Sequence, residues 1–323
     1  MSEKFFDDVH ADLTKMAERL ASADAAERRV AVLDLAESAD QGAEPLLVGA
    51  LEDRDAGVRR EAAKALAQFD GRPAAEALAR TLLDDDASVA DAAACSLTEM
   101  KSPEAAKPLL ALVAHDRAGV RGAAWRGLRN LRVEASLKPA LKALADPDAR
   151  VRREAVGVLA YLKNVATLTA LTGAADDENF EVRRAAISAL AFASSGQALD
   201  PIAKGLSDVH WQVREAAAIL AGKIKAAGAA PWLVGALFDE AWQVSGKAAL
   251  ALGEIKAREA IHALGGLLSH PASNLRKDAV TALGEIGHAD ALPYLEQATM
   301  DADPDVRKIA SWSIHRILSA RAK

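Results

Sequence analysis

The sequence predicts an all-α solenoid: a right-handed α-α superhelix of ten two-helix repeats of 31 residues, with residues 1–323 forming a single array. Three observations lead there. Steps of 31 from Arg28 meet Arg59, Ala90, Arg121, Arg152, Arg183, Arg214, Ser245, Arg276 and Arg307 without an insertion or deletion. Three residues beyond each of these, all ten repeats carry Ala, from Ala31 to Ala310. Apolar residues make up 51% of the chain but aromatic ones only 4%, an Ala- and Leu-rich composition that suits close-packed helices better than sheets. An array with a period of about 20–50 residues buries the apolar face of each unit against its neighbours alone. Function is therefore to be sought on its surface.

The elements follow in chain order. Phe6, Val9, Leu13, Met16 and Leu20 form one apolar stripe at helical spacing, which predicts an N-terminal capping helix over about residues 3–20. Within each repeat, with the ladder residue as position 0, apolar residues fall at −1, +3, +7 and +10; in repeat 2 these are Val58, Ala62, Leu66 and Phe69. Spacings of 4, 4 and 3 put them on one face of a helix, here called B. The uniform Ala at +3 is explained by close backbone approach between neighbouring helices. A second helix, A, precedes each B and carries its own apolar pair, such as Leu47 and Leu51 or Leu233 and Leu237. Pro108, Pro139 and Pro201 recur at the start of A, where the missing amide hydrogen costs nothing. Asp24, Asp55, Asp86 and Asp148 precede the ladder position by four residues, where an acid caps B and meets the positive end of its dipole. A C-terminal capping helix over about residues 305–320 closes the array, with cations toward its end.

Bulk properties exclude several classes. A net charge of −6 argues against general nucleic-acid binding, which depends on cations neutralising phosphates. No stretch approaches the roughly 20 apolar residues of a membrane span, and the opening MSEKFFDDVHADLTK lacks the apolar core of a signal peptide. A lone cysteine, Cys95, provides no disulfide framework and fits a reducing, cytoplasmic setting. No Gly-rich phosphate loop, nucleophile elbow or metal-ligand cluster is present, so no catalytic residue, metal or cofactor is assigned.

The pattern D-x-x-V-R-x-x-A-x-x-A-L, as in DRDAGVRREAAKAL, DPDARVRREAVGVL and DENFEVRRAAISAL, resembles HEAT repeats, and most closely the subtype named for phycobilisome lyases. The resemblance implies that the B helices line a concave face and that this face grips a partner protein. Deoxyhypusine hydroxylases resemble such arrays but bind iron through His-Glu pairs. None of His10, His115, His210, His262, His270, His288 and His315 is followed by Glu. The expected function is a non-catalytic interaction scaffold or adaptor, monomeric or weakly associating, with a protein segment in its groove. The alternative the family name implies is a tetrapyrrole- or bilin-lyase-type protein.

Three features of the surface invite a functional reading. The Arg ladder reads as architecture, its guanidinium groups bridging Asp side chains and turn carbonyls of neighbouring repeats. Its gaps at Ala90 and Ser245 either open small pockets or are drift. Second, position −3 carries Phe180, Trp211 and Trp242 in repeats 6, 7 and 8, turned toward a solvent face at +1, +5 and +8. Ile219 and Leu250 occupy +5 there, and Gly222 and Gly253 occupy +8. These aromatics either cover the A–B turn or form an apolar partner site rimmed by Arg184, Glu215 and Lys277, since exposed apolar patches and Trp anchors mark interfaces. Third, VRGAAWRGLRNLR places Trp125 among Arg126 and Arg129, with Arg121 and Arg132 nearby. This is either a solvated helix face or a secondary basic patch.

Overall fold

A computed structural model describes residues 13–38 and 40–321. Phe6, Val9 and His10, named above, lie outside the described residues, as does Lys323. The described residues contain two α-helices in every one of the ten repeats and no strand. Residues 13–20 are helical and precede the first B helix, Ala25–Ser38. Repeat 2 pairs an A helix at Ala43–Ala50 with a B helix at Ala56–Ala65 that tightens into a 3-10 turn at Leu66–Gln68. The last B helix runs Pro304–Arg321. Contacts divide the chain into two compact units, Met1–Leu162 and Lys163–Lys323, each holding five repeats.

The core of each unit is the one the periodicity specifies. All ten Ala residues at +3, from Ala31 to Ala310, have 0% of their surface exposed. The +7 residues from Leu35 to Leu283 are likewise buried, and Leu47, Leu78, Leu233 and Leu264 of the A helices meet them from the other layer. Pro108, Pro139 and Pro201 each stand third in their A helix, within the first turn whose amides lack intrahelical acceptors. Asp55 and Asp86 cap their B helices by accepting the N–H of Val58 (3.1 Å) and Ser88 (2.9 Å). Asp24 and Asp148 do the same for Ala26 (2.9 Å) and Arg150 (2.8 Å).

The ladder locks successive repeats together. Six of its arginines, Arg28, Arg59, Arg121, Arg183, Arg214 and Arg276, each grip an aspartate 25 residues further on: Asp53, Asp84, Asp146, Asp208, Asp239 and Asp301. The grip is bidentate, as Nε and Nη2 donate to the two carboxylate oxygens; for Arg59 the distances are 2.7 and 2.9 Å. Nη1 turns the other way, to the carbonyl six residues back in its own A–B turn, as from Arg59 to Asp53 (2.8 Å) and from Arg214 to Asp208 (2.9 Å). One aspartate therefore serves two arginines, its side chain taking the previous rung and its carbonyl the next.

Both gaps in the ladder are matched by a change in the partner. Ala90 and Ser245 lack the guanidinium, and the residues 25 positions on are His115 and His270 rather than Asp. Each imidazole keeps the aspartate's other task, Nδ1 accepting the N–H two residues ahead at 3.1 Å from Arg117 and Ala272. Among the described residues, neither gap leaves a ladder carboxylate without its cation. At the first gap Arg117 also reaches back to the Leu82 carbonyl at 3.0 Å, and a pocket of about 380 Å³ lies beside Ala90. At the second, the Ser245 hydroxyl donates to the Asp239 carbonyl at 3.3 Å.

Candidate functional site

In Lys163–Lys323 the three aromatics at −3 are the first residues of their B helices, Phe180–Ala189, Trp211–Lys223 and Trp242–Glu254. An N-terminal residue has no preceding turn to pack against, which leaves a large ring partly in solvent. Trp211 is 37% exposed and Trp242 46%. Phe180 is half-buried because it stacks on His210 of the next repeat, with centroids 4.5 Å apart and planes 1° from parallel. That pair does cover the turn. The two tryptophans have no such stacking partner among the described residues.

Ile219 is 46% exposed and Leu250 half-buried. They stand eight residues past the tryptophans, about 12 Å along the helix axis, so the apolar groups form two rows rather than one cluster. The +5 row continues through Thr281 to Trp312, which is 60% exposed with the Arg316 guanidinium 4.8 Å above its ring. Sequence reading missed Trp312, although two steps of 31 from Leu250 reach it. Phe238, 68% exposed in the A–B turn before Trp242, was also missed because turn positions lie outside the helical period. At the rim, Arg184 is exposed and Glu215 half-buried, both without an ion pair among the described residues. Lys277 is tied to Asp303 (3.1 Å) and Asp305 (3.2 Å).

Gly222 and Gly253 do not belong to this face. Both are buried where consecutive B helices touch: a Cβ on Gly253 would stand 2.8 Å from the Ala282 Cα, and one on Gly222 3.0 Å from the Ala251 Cα. Position +8 is a helix-packing position in these repeats, because B is flanked by another B on each side.

In Met1–Leu162 the secondary basic patch is corrected. Trp125 is fully buried, with 0% of its surface exposed, and takes no part in a surface patch with Arg126 and Arg129. It stands at +4, which faces the A layer, whereas Arg126 at +5 and Arg129 at +8 are half-buried beside the next B helix. Arg126 and Arg129 instead gather about Glu154 of the next B helix, a buried carboxylate: Arg126 Nε lies at 3.6 Å, Arg129 Nη1 at 3.9 Å and Arg153 Nη2 at 3.0 Å. Arg129 and Arg132 also lie over the Tyr161 ring, 5.9 and 5.4 Å from its centroid. Three arginines around one acid leave the cluster cationic. The signal missed in the sequence was an acid at +2 of repeat 5, beneath the basic helix of repeat 4.

Carboxylate ionisation follows the ladder. Hydrogen bonds from Arg28, Arg59 and Arg276 hold Asp53, Asp84 and Asp301 below the usual carboxylate range, against the opposing pull of burial. At Asp146, Asp208 and Asp239 burial is the largest influence and favours the neutral acid, but the arginine and backbone N–H donors together outweigh it. Among the described residues no group of three or more His, Cys, Asp or Glu is placed to hold a metal ion, and no helix is long and apolar enough to cross a membrane.

HEAT repeats match residues 13–97, 137–221, 168–244, 199–268 and 230–315. The chain is a HEAT-repeat protein. The match is to HEAT repeats at large and does not single out the phycobilisome-lyase subtype. Two solved structures illustrate the likeness of this HEAT chain. One is an engineered protein from the Northeast Structural Genomics Consortium, 24% identical, covering 95% of this chain and 99% of its own, with a TM-score of 0.51. The other is from a structure of Kap95p with RanGDP, concerned with nuclear import complex assembly. It is 14% identical with a TM-score of 0.65, and the likeness covers 98% of this chain and 50% of that one. In all, 410 solved chains match, so the HEAT fold by itself selects no function. No curated protein matches by sequence.

Proposed function

We propose that this HEAT-repeat chain is a non-catalytic protein-interaction scaffold, one array over residues 1–323, which holds a segment of a partner protein on the B-helix face of repeats 6–8. The observation that carries the reading is the exposure of Trp211 and Trp242 at equivalent places in consecutive repeats of a chain with few aromatics. Exposed apolar groups of this size mark contact surfaces, and Trp and Arg are the commonest energetic anchors in them. Trp211 and Trp242 are the anchors, Phe180 braces the turn beside them, Ile219 and Leu250 supply a second apolar row, and Arg184 and Glu215 are free to pair at the rim. The cationic cluster of Arg126 and Arg129 suits an acidic stretch of the partner. The net charge of −6 disfavours nucleic acid, a reducing, cytoplasmic setting accords with the lone Cys95, and the chain acts as a monomer or weak oligomer. Kap95p, a protein of similar fold, binds RanGDP, which supports a protein partner for this architecture. The match to HEAT repeats at large supplies no observation in favour of tetrapyrrole chemistry.

The test uses the intact chain as bait to isolate a partner, followed by titration calorimetry on Trp211→Ala and Trp242→Ala. Truncating an anchor costs about 2 kcal/mol or more, roughly a thirtyfold loss of affinity, with the melting temperature little changed because the rings lie outside the core. Unchanged affinity in both variants would sink the site. A lowered melting temperature with intact affinity would make the tryptophans covers for the turn.

A further inference from the structure

In so regular an array the departures stand out, and three of them converge beside the A helix of repeat 5, Leu137–Ala143. Trp125 occupies a +4 position where the other nine repeats carry Ala, Val, Ile or Ser. His115 occupies the site of the ladder arginine's acceptor, where most repeats carry Asp. Lys138 and Lys142, one helical turn apart, are both exposed. All four line one pocket of about 780 Å³, whose walls also include Val113, Pro139 and Pro147. That volume falls within the range of about 300–1,000 Å³ typical of small-molecule sites.

The chemistry of the lining is that of an anion site with an apolar floor. Arg121 and Asp146 cancel each other through their bond at 2.7 Å. Lys138 and Lys142 form no ion pair among the described residues, which leaves them facing a single further acid, Asp116. The exchange of Asp for His115 removes a negative charge from this wall. The indole N–H of Trp125 is buried and meets no acceptor among the described residues. Buried Trp N–H groups ordinarily find a partner, so packing alone does not account for this side chain.

We propose that the pocket binds a small organic carboxylate, its apolar body against Val113 and Pro139 with the buried Trp125 beneath them, its charge met by Lys138 and Lys142. The site is independent of the partner surface proposed for repeats 6–8.

The probe is 2-naphthoate, with neutral 2-naphthamide as its control, titrated into the intact chain. Of five tryptophans, Trp211, Trp232, Trp242 and Trp312 are exposed. The indole N–H signal that survives their joint replacement by Phe therefore reports Trp125 by nuclear magnetic resonance. Saturable movement of that signal with naphthoate is expected, with about tenfold weaker binding or less for the amide and for the double variant Lys138→Glu, Lys142→Glu. The lysine variants are at exposed, unpaired positions, and circular dichroism checks that they fold. An unmoved Trp125 signal, equal binding of the amide, or wild-type affinity in a folded lysine variant would each overturn the assignment.

Discussion

A ladder arginine of a complete rung holds three or four acceptors at once: two oxygens of an aspartate in the next repeat and one or two carbonyls in its own turn. Removing the guanidinium strands the carboxylate, which is why both natural gaps pair the loss with His115 or His270. Arg214→Ala is expected to cost about 2–4 kcal/mol, because Asp239 would remain largely buried without its cation. Adding Asp239→His should recover part of that loss, since an imidazole can still accept the Ala241 N–H now held at 2.8 Å. Urea midpoints for the two single variants and the double variant test the coupling, and strict additivity would refute it. At this scale the sequence revealed the arginines and the chemistry of their partners, because 31-residue spacing exposes any obligatory contact. It concealed the direction of Trp125, whose neighbours in sequence are cations although its neighbours in space are the A layer. It also concealed Glu154, since a buried acid and an exposed one look alike until the opposing helix is in place.

Between elements, contact distance is set by the smallest residue on each side. Gly253 lets its B helix lie against Ala282 so closely that even a methyl group would meet backbone at 2.8 Å. Gly253→Ala should destabilise by about 1–3 kcal/mol through overpacking, outweighing the gain in helix propensity of about 1 kcal/mol. A thermal melt checks the sign, and a stabilised variant would show that the neighbouring helices can part freely. The ends of the B helices carry a second regularity. Arg132, Lys163, Lys225, Lys256 and Gly287 all adopt left-handed backbone at +11, and only the last is a glycine. Helix existence and order were legible from apolar periodicity. These terminations were not, because lysine in a left-handed cap leaves no compositional trace, and neither was the packing role of Gly222 and Gly253, which a helical wheel assigns to solvent when it ignores the second flanking helix.

For the molecule as a whole, the rungs make acid a shared vulnerability. Carboxylates held below their ordinary pKa contribute stability that is complete above the unfolded value and is lost as pH falls through the folded one. Asp53, Asp84 and Asp301 are shifted in this direction, and Asp148 and Asp303 are lowered to about 2. The urea midpoint should be flat from about pH 7 to pH 5 and fall steadily below about pH 4. A midpoint unchanged at about pH 2.5 would show that the rungs add nothing to stability. The all-helical repeat architecture could be read from one sequence because every unit repeats the same evidence, whereas surface rows such as Ile219 to Trp312 are written only once. The shared aspartate has a consequence for how such a chain changes length. Each regular rung joins a donor in one repeat to an acceptor at a fixed offset in the next, so a duplicated or deleted cassette of 31 residues, cut away from the gaps at Ala90 and Ser245, restores every junction it disturbs. A cassette of any other length leaves one arginine facing the wrong turn. Growth and shrinkage of the lineage are thereby quantised, and a partner surface can be moved along the array without redesign of the joints that carry it.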